Sequence, residues 1–399
     1  MCHWRYVTSP DMSPFDIAVI GGGPAGAWTA CLLATRGARV AIVDGSHPRE
    51  KPCGGGLSAR ALDLLRLLGP ARPIPGVTID HGNFSDGRAE VDIELTPAGT
   101  GTPALLVASR RDLDFTLLEA ALAAGAELVA ERVLGIERRD GGWTIRTAGG
   151  AVECGRLVGA DGANSLVRRT VSRPFPRAAL SIASGYYVHG LSASHIDIVF
   201  TQSPAGYLWS FPRPDHLAVG VGAQADEATS AQLFEMAAAW IDQRVGPSRG
   251  ALTRYSWPIP SLSEADLQQE TSAGDRWLLV GDAAGLVDPI TREGLYYALA
   301  SAQLAATSLL QDHASRQYLE GLRGGIHHEL RKAARMKDGF FRSAFTGLLI
   351  RALQRSPAIR HLMAGLVSGT QTYAGLRRRL LLTGEVRLAA EYALQGYLT

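Results

Sequence analysis

Six residues, Gly21-Gly22-Gly23-Pro24-Ala25-Gly26, constrain the fold of this chain more than any other stretch. They follow residues 16–20 (Asp-Ile-Ala-Val-Ile), a short apolar run of the kind that forms a buried parallel strand. Gly21, Gly23 and Gly26 fit the Gly-x-Gly-x-x-Gly pattern. In that pattern the first glycine makes a tight turn and the second lets backbone approach a pyrophosphate. The third lets the following helix pack closely on the strand. The spacing predicts a helix over 25–36, with its N-terminal amides toward the phosphates. A second strand over 39–43 ends at Asp44, about 20 residues past the turn, where a carboxylate can accept from ribose hydroxyls. Glycines serving a turn with no ligand are the plainer reading. Strand, helix and acidic residue in register argue against it.

Three more glycine motifs follow: Lys51-Pro52-Cys53-Gly54-Gly55-Gly56, Gly159-Ala160-Asp161-Gly162 and Gly281-Asp282-Ala283-Ala284-Gly285. Between them the texture changes repeatedly. Residues 58–68 read as a short helix, 76–95 as strands, and 110–124 as a helix. Strands are expected over 126–146, with a turn at Asp140-Gly141-Gly142, and over 156–159. From 179 to 257 the chain is β-rich, with strands over 182–188, 196–200, 207–211 and 217–221. Pro212-Arg213-Pro214-Asp215 reads as a turn, and 230–244 as an amphipathic helix across this layer. A buried strand over 277–280 and a long apolar helix over 294–310 close the pattern.

The fold class expected is α/β (α+β overall): a Rossmann-like nucleotide-binding domain, an inserted antiparallel β-sheet domain and a helical C-terminal tail. The expected segments are 14–75, 101–178 and 269–315 for the nucleotide domain. Strands over 76–100 and the β-rich stretch 179–268 form the substrate domain, and 316–399 forms the tail. A chain of 399 residues has room for two domains and a large core.

Charge and cysteine usage narrow the class. The net charge is +2, but residues 316–399 carry 14 Lys plus Arg against 5 Asp plus Glu, a surplus of +9, so the remainder carries −7. The basic residues lie on a helical tail without an aromatic–basic recognition motif, which argues against nucleic-acid binding. Cys2, Cys31, Cys53 and Cys154 show neither metal-ligand spacing nor a disulfide framework, so no metal is expected. No apolar run reaches the roughly 18 residues of a membrane span. Met1 to Ser13 lacks a signal-peptide core, so a cytosolic location is expected. In the tail, Arg331, Arg335, Arg342, Arg351, Arg355 and Arg360 alternate with Phe340, Phe341, Phe345, Leu348, Leu349 and Ile350. Arg377-Arg378-Arg379 then precedes Leu380-Leu381-Leu382. The mixture fits peripheral association with an anionic membrane face. It also fits a helical lid packed on the substrate domain, with its arginines solvated.

With these motifs in place, the chain resembles the geranylgeranyl reductase family, within the flavoproteins that share the p-hydroxybenzoate hydroxylase fold. The likeness covers roughly 16–310. Lys51-Pro52-Cys53-Gly54-Gly55-Gly56-Leu57 resembles the reductases' Lys-x-Cys-Gly-Gly loop. Tyr207-Leu208-Trp209-Ser210-Phe211-Pro212 resembles their Tyr-x-Trp-x-Phe-Pro strand. Asp288-Pro289-Ile290-Thr291-Arg292-Glu293-Gly294 matches a variant among bacterial members. The resemblance implies FAD, and no His or Cys sits in an attachment motif, so no covalent link is expected. Gly21, Gly23, Pro24, Ala25 and Gly26 would hold its pyrophosphate, and Asp44 its adenosine ribose. Arg110 would reach the phosphates or ribitol, Asp161 with Gly162 would order backbone beside the pyrophosphate, and Val133 would join the nucleotide site. Asp282, between Gly281 and Gly285, would bind a ribitol hydroxyl. Pro289 to Gly294 would line the isoalloxazine, with Gly294 opening a helix whose dipole favours negative charge on the reduced ring.

Cys53, with Gly54 and Gly55, would lie beside that ring. Its thiol could donate a proton, tune the flavin or face the substrate; a small residue that merely fits the loop is the competing reading. Tyr207 and Trp209, two apart on a strand, share one face, and either line an apolar tunnel or pack the sheet. His189, His195 and His216 show no ligand spacing. The activity implied is reduction of a carbon–carbon double bond in an apolar isoprenoid-type substrate. Hydride would come from the flavin, a proton from a nearby acid, and electrons from a transiently visiting NAD(P)H. Two other readings stay open: an FAD-dependent monooxygenase on the same scaffold, and a non-catalytic flavin-binding electron carrier.

Overall fold

The computed structural model describes residues 15–69, 72–95, 102–246, 250–376 and 379. The Met1 to Ser13 stretch and most of the Arg377 to Leu382 cluster lie outside them. At the centre is a parallel sheet. Phe15–Ile20 pairs with Val40–Val43 on one side and Ala151–Gly159 on the other. Glu127–Val129 extends it beyond Val40–Val43, and Trp277–Leu279 beyond Ala151–Gly159. These strands read as apolar runs because both faces are covered. Ala18, Val19, Ala41 and Ile42 are fully buried. Helix Pro24–Ala34 has no polar stripe because it is enclosed on nearly every side, packing against Arg110–Ala123 and Leu295–Leu309.

A second, seven-stranded sheet lies beside it. Its order is Leu252–Pro260, Leu180–His189, His216–Gln224, Ala205–Pro212, His195–Gln202, His81–Ser85, Glu90–Glu94. All neighbours are antiparallel except His81–Ser85 with His195–Gln202. Leu252–Pro260 is a strand that its two prolines disguise in the sequence. It sits at the sheet's edge, where a missing N–H leaves no ladder bond unmade. Val77–Ile79 belongs to a separate small sheet with Leu105–Val107 and Gly56–Ser58.

Helix Ser230–Arg244 covers one face of the large sheet through Leu233, Ala237 and Ile241. The other face meets the tail. Helices Ile326–Phe340, Ser343–Arg355 and Pro357–Ser368, with Phe341 just past the first, turn Phe341, Leu348, Ile350, Leu353, Ile359 and Met363 into one apolar cluster with Phe84, Ile196, Phe200, Tyr207 and Trp209. Arg342 and Arg355 point outward. Among the described residues, no helix is long and apolar enough to cross a membrane.

Candidate functional site

The glycine turn is held from below by another motif. Gly21 has φ +109°, and a Cβ there would lie 2.4 Å from the Ala160 carbonyl oxygen. A Cβ on Gly26 would lie 1.9 Å from the Gly21 carbonyl oxygen. Gly23 is different: its nearest neighbour would be His47 Nε2 at 3.4 Å, so its side of the turn faces open space. That space is a cavity of about 1690 Å³, lined by Gly21, Gly23, Pro24 and Ala25 at this end. Gly26 does not line it; it lets the helix close on the strand beneath. Asp161 accepts from the backbone N–H of Leu166 at 2.6 Å and of Val167 at 3.2 Å. It thereby orders the loop whose Ala160 carbonyl abuts Gly21, and burial raises its pKa despite these donors.

A chain of buried charges runs under the turn. Asp44 Oδ2 accepts from Gly22 N–H and from His47 Nδ1, both at 2.7 Å, and Oδ1 accepts from the Ser46 and His47 amides. The carboxylate lines the cavity, but protein donors already fill most of its acceptor capacity. His47 Nε2 lies 3.3 Å from Asp114, which takes both Arg110 Nε and Nη2 at 2.9 Å. Two anions and two cations therefore alternate, and they balance only with His47 protonated. Burial opposes that charge, but the two carboxylates outweigh it and raise the His47 pKa above its ordinary 6.5. Burial likewise opposes the charge on Asp44, and its donors outweigh it, holding the carboxyl far below its ordinary 3.8.

The sign follows from linkage. The His47 contribution is complete below pH 6.5 and is lost as pH rises through the raised folded value. The Asp44 contribution is present above pH 3.8 and is lost as pH falls toward the depressed one. Thermal stability is expected to peak between those limits and decline on the alkaline side. His47→Gln should flatten the alkaline decline; an identical slope in the variant would sink this reading.

The Cys53 loop is clamped from the large sheet. Arg213, completely buried, donates to Glu50 Oε1 and, from Nη2, to the Cys53 carbonyl at 2.5 Å. Glu50 in turn accepts from Ser109 Oγ at 2.6 Å and from the Arg110 amide at 3.1 Å. A Cβ on Gly54 would lie 2.8 Å from the Phe211 ring, and one on Gly55, φ +82°, would lie 2.3 Å from the Ala108 carbonyl. At Gly54 and Gly55 the loop has no room for side chains, and the Cys53 thiol accepts from Gly55 N–H at 3.3 Å. Cys53, Gly54 and Gly55 line the same cavity as the glycine turn and the sheet residues Tyr207 and Trp209.

The opposite wall is the Asp282 to Gly294 region. Asp282 faces Lys51 Nζ at 3.6 Å, and a Cβ on Gly294 would lie 3.3 Å from its Oδ1. Gly281 and Gly285, both at positive φ, and Pro289 shape this wall without lining the cavity. Tyr207 and Trp209 line it, with ring centroids 5.8 Å apart, and the Tyr207 hydroxyl donates to the Thr291 carbonyl. Arg110, Val133, Asp161, Gly162, Asp282 and Gly294 line it too. His47 and Glu50 escaped the sequence reading, Arg213 was read only as a turn residue, and Arg292 was expected among the residues lining the isoalloxazine rather than in the apolar part of the cavity. Arg213 carried a local signal, directly after the Tyr-x-Trp-x-Phe-Pro strand, and so did His47, three residues after Asp44.

Residues 14–321 match the family described as FAD binding domain. The chain is 30% identical over 313 residues to geranylgeranyl diphosphate reductase of Rhodobacter capsulatus, covering 74% of this chain and 75% of that protein. It is 29% identical over 342 residues to menaquinone reductase of Mycolicibacterium smegmatis, covering 76% and 82%. A geranylgeranyl bacteriochlorophyll reductase-like structure from Thermoplasma acidophilum superimposes with a TM-score of 0.74 at 20% identity, over 92% of this chain and 100% of that one. A flavin-dependent brominase gives a TM-score of 0.68 at 21% identity, over 90% and 94%. At such identities these two structures speak for the fold alone.

Proposed function

Because the chain belongs to the FAD-binding domain family, in the group that contains the geranylgeranyl reductases, we propose that this oxidoreductase reduces carbon–carbon double bonds in a long, apolar, isoprenoid-type substrate. The cradle fits the cofactor. Helix Pro24–Ala34 starts at Gly23 with no side-chain cap, and helix Leu295–Leu309 starts at Gly294 with none. Both N-termini therefore offer unfilled backbone donors to the cavity, which suits phosphate at one and an electron-rich ring at the other. When bound, FAD supplies the hydride chemistry.

The observation that carries the substrate reading is the apolar limb. The cavity continues past Cys53 between the large sheet and the tail, walled by Ile198, Phe200, Phe345, Leu349, Leu362 and Met363. A long hydrocarbon gains by burial there, and water is excluded from the reacting bond. Arg213 fixes the Cys53 backbone, and the thiol, on the cavity wall beside the Arg110 side chain, is the candidate proton donor. NAD(P)H visits from solution in this reading.

The test is anaerobic turnover of geranylgeranyl diphosphate, with products identified by mass spectrometry. The expected product gains two hydrogens per bond reduced and needs no oxygen. A product that gains oxygen, and forms only in air, would replace this reading with a monooxygenase. Cys53→Ser should keep its flavin yet slow reduction by about 10²–10⁴-fold, the usual worth of a positioned general acid. An unchanged rate would leave Cys53 as a packing residue.

A further inference from the structure

Arg292 occupies the limb in a way that packing does not explain. Its backbone is left-handed, φ +56°, in a loop ordered by the Asp288 carboxylate, which accepts from the Ile290 and Thr291 amides at 2.8 and 2.9 Å. Such a conformation is costly for any residue with a side chain and marks a position worth a functional question. The guanidinium lies over the Tyr207 ring at 4.8 Å and the Phe341 ring at 5.5 Å. Its Nε and Nη1 are buried without a hydrogen-bond partner. Contact with two rings, a hydrogen bond with the Tyr207 hydroxyl and the field of the Asp288 carboxylate recover only part of what a guanidinium loses on leaving water. Among the described residues Lys337, two helical residues before the cavity-lining Gly339, bonds neutral acceptors, Gln224 Oε1 at 2.6 Å and Ser261 Oγ at 3.0 Å. Burial and then the Arg292 charge lower its pKa, against the Asp338, Glu227 and Asp226 carboxylates, so a second cation stands behind the wall that Arg292 lines.

We propose that Arg292 anchors the substrate's head group and selects chains that end in an anion, a phosphate or diphosphate, over chains with a neutral head. The selection rests on the reductase reading for what fills the limb, but not for the charge that Arg292 meets. Position adds a consequence. Tyr207, beneath Arg292, and Phe211, against the Cys53 loop, are four residues apart on one strand, about 13 Å at the rise of an extended chain. An anchored head therefore fixes which double bond reaches Cys53.

Binding to the FAD-loaded protein is read by quenching of tryptophan fluorescence, without turnover. Wild type is expected to hold geranylgeranyl diphosphate at least about tenfold more tightly than geranylgeraniol, the worth of a charge-assisted hydrogen bond. Arg292→Gly should remove that preference, the diphosphate losing at least about tenfold more affinity than the alcohol. Glycine relieves the left-handed strain, so the variant does not endanger the fold. Arg292→Lys should restore part of the preference. An unsaturated phosphatidic acid beside its diacylglycerol, both in micelles, puts the same question for a lipid source. An Arg292-dependent preference in either pair supports the proposal, and the pair that shows it names the source. Equal affinities in both pairs, or a preference that survives Arg292→Gly, overturn it. Selective binding without any saturated product would sink the reductase reading alone.

Discussion

Gly26→Ala is expected to yield protein without flavin, destabilised by about 3 kcal/mol or more. The added methyl would sit 1.9 Å from the Gly21 carbonyl oxygen and 3.1 Å from the Ala160 side chain. Neither neighbour can step aside. Gly21 is locked at φ +109° against Ala160, and the helix is enclosed between Arg110–Ala123 and Leu295–Leu309. The helix must lift off the strand, which carries its N-terminal amides away from the phosphate position. Gly324→Ala is the matched control: no atom lies within 4 Å of its Cβ at the end of helix Ala314–Gly324. There the change is worth between zero and about 1 kcal/mol of added stability, through lost chain entropy in the unfolded state. Flavin absorbance per protein and thermal melts read both variants. A yellow Gly26→Ala protein with an unshifted melt would show that the turn is not packed as described.

Arg213→Met is expected to cost about 3 kcal/mol in stability, the lower end for breaking a buried ion pair because Glu50 keeps some exposure. It should also cost about 100-fold in turnover. Methionine keeps much of the volume but removes the fork that joins Glu50 to the Cys53 carbonyl. The loop then loses its tether to the sheet, and a displacement near 1 Å at a reacting group costs about 10²-fold. The two readouts separate the roles. Flavin retained with slow turnover indicts the position of Cys53, whereas loss of flavin indicts Glu50 and the Arg110 amide it accepts from. A variant that melts and turns over like wild type would remove Arg213 from the site.

The fold class was readable because its signals are local. Gly21 to Gly26 sits between a strand and a helix that the structure places within a residue or two of the pattern. The alternation over 182–221 likewise yields strands at the expected places. What escaped is pairing at long range. Nothing near Arg213 announces Glu50 or Cys53, about 160 positions earlier. His47 follows Asp44 closely enough to be seen, but its second partner, Asp114, lies on a helix far along the chain. The strand Leu252–Pro260 was not named within the β-rich stretch, and the edge position that admits Pro258 and Pro260 exists only once the sheet is assembled. The tail's basic and apolar mixture suited a membrane face as well as a lid. Its apolar residues turn inward because the sheet face beneath them has no other cover.

That cover comes late in synthesis. The large sheet is complete at Pro260, while the wall helices end at Ser368. At roughly 5–20 residues per second, a ribosome needs on the order of 5–20 s to make the difference. Throughout that interval the nascent protein presents Phe84, Ile196, Phe200 and Trp209 to the surrounding medium on one broad, unsheltered face. Each newly made molecule thus passes through a stage in which the greasiest part of its future interior faces outward. It is then at its most prone to stick to a neighbour on the same polysome, or to be captured by a holding chaperone.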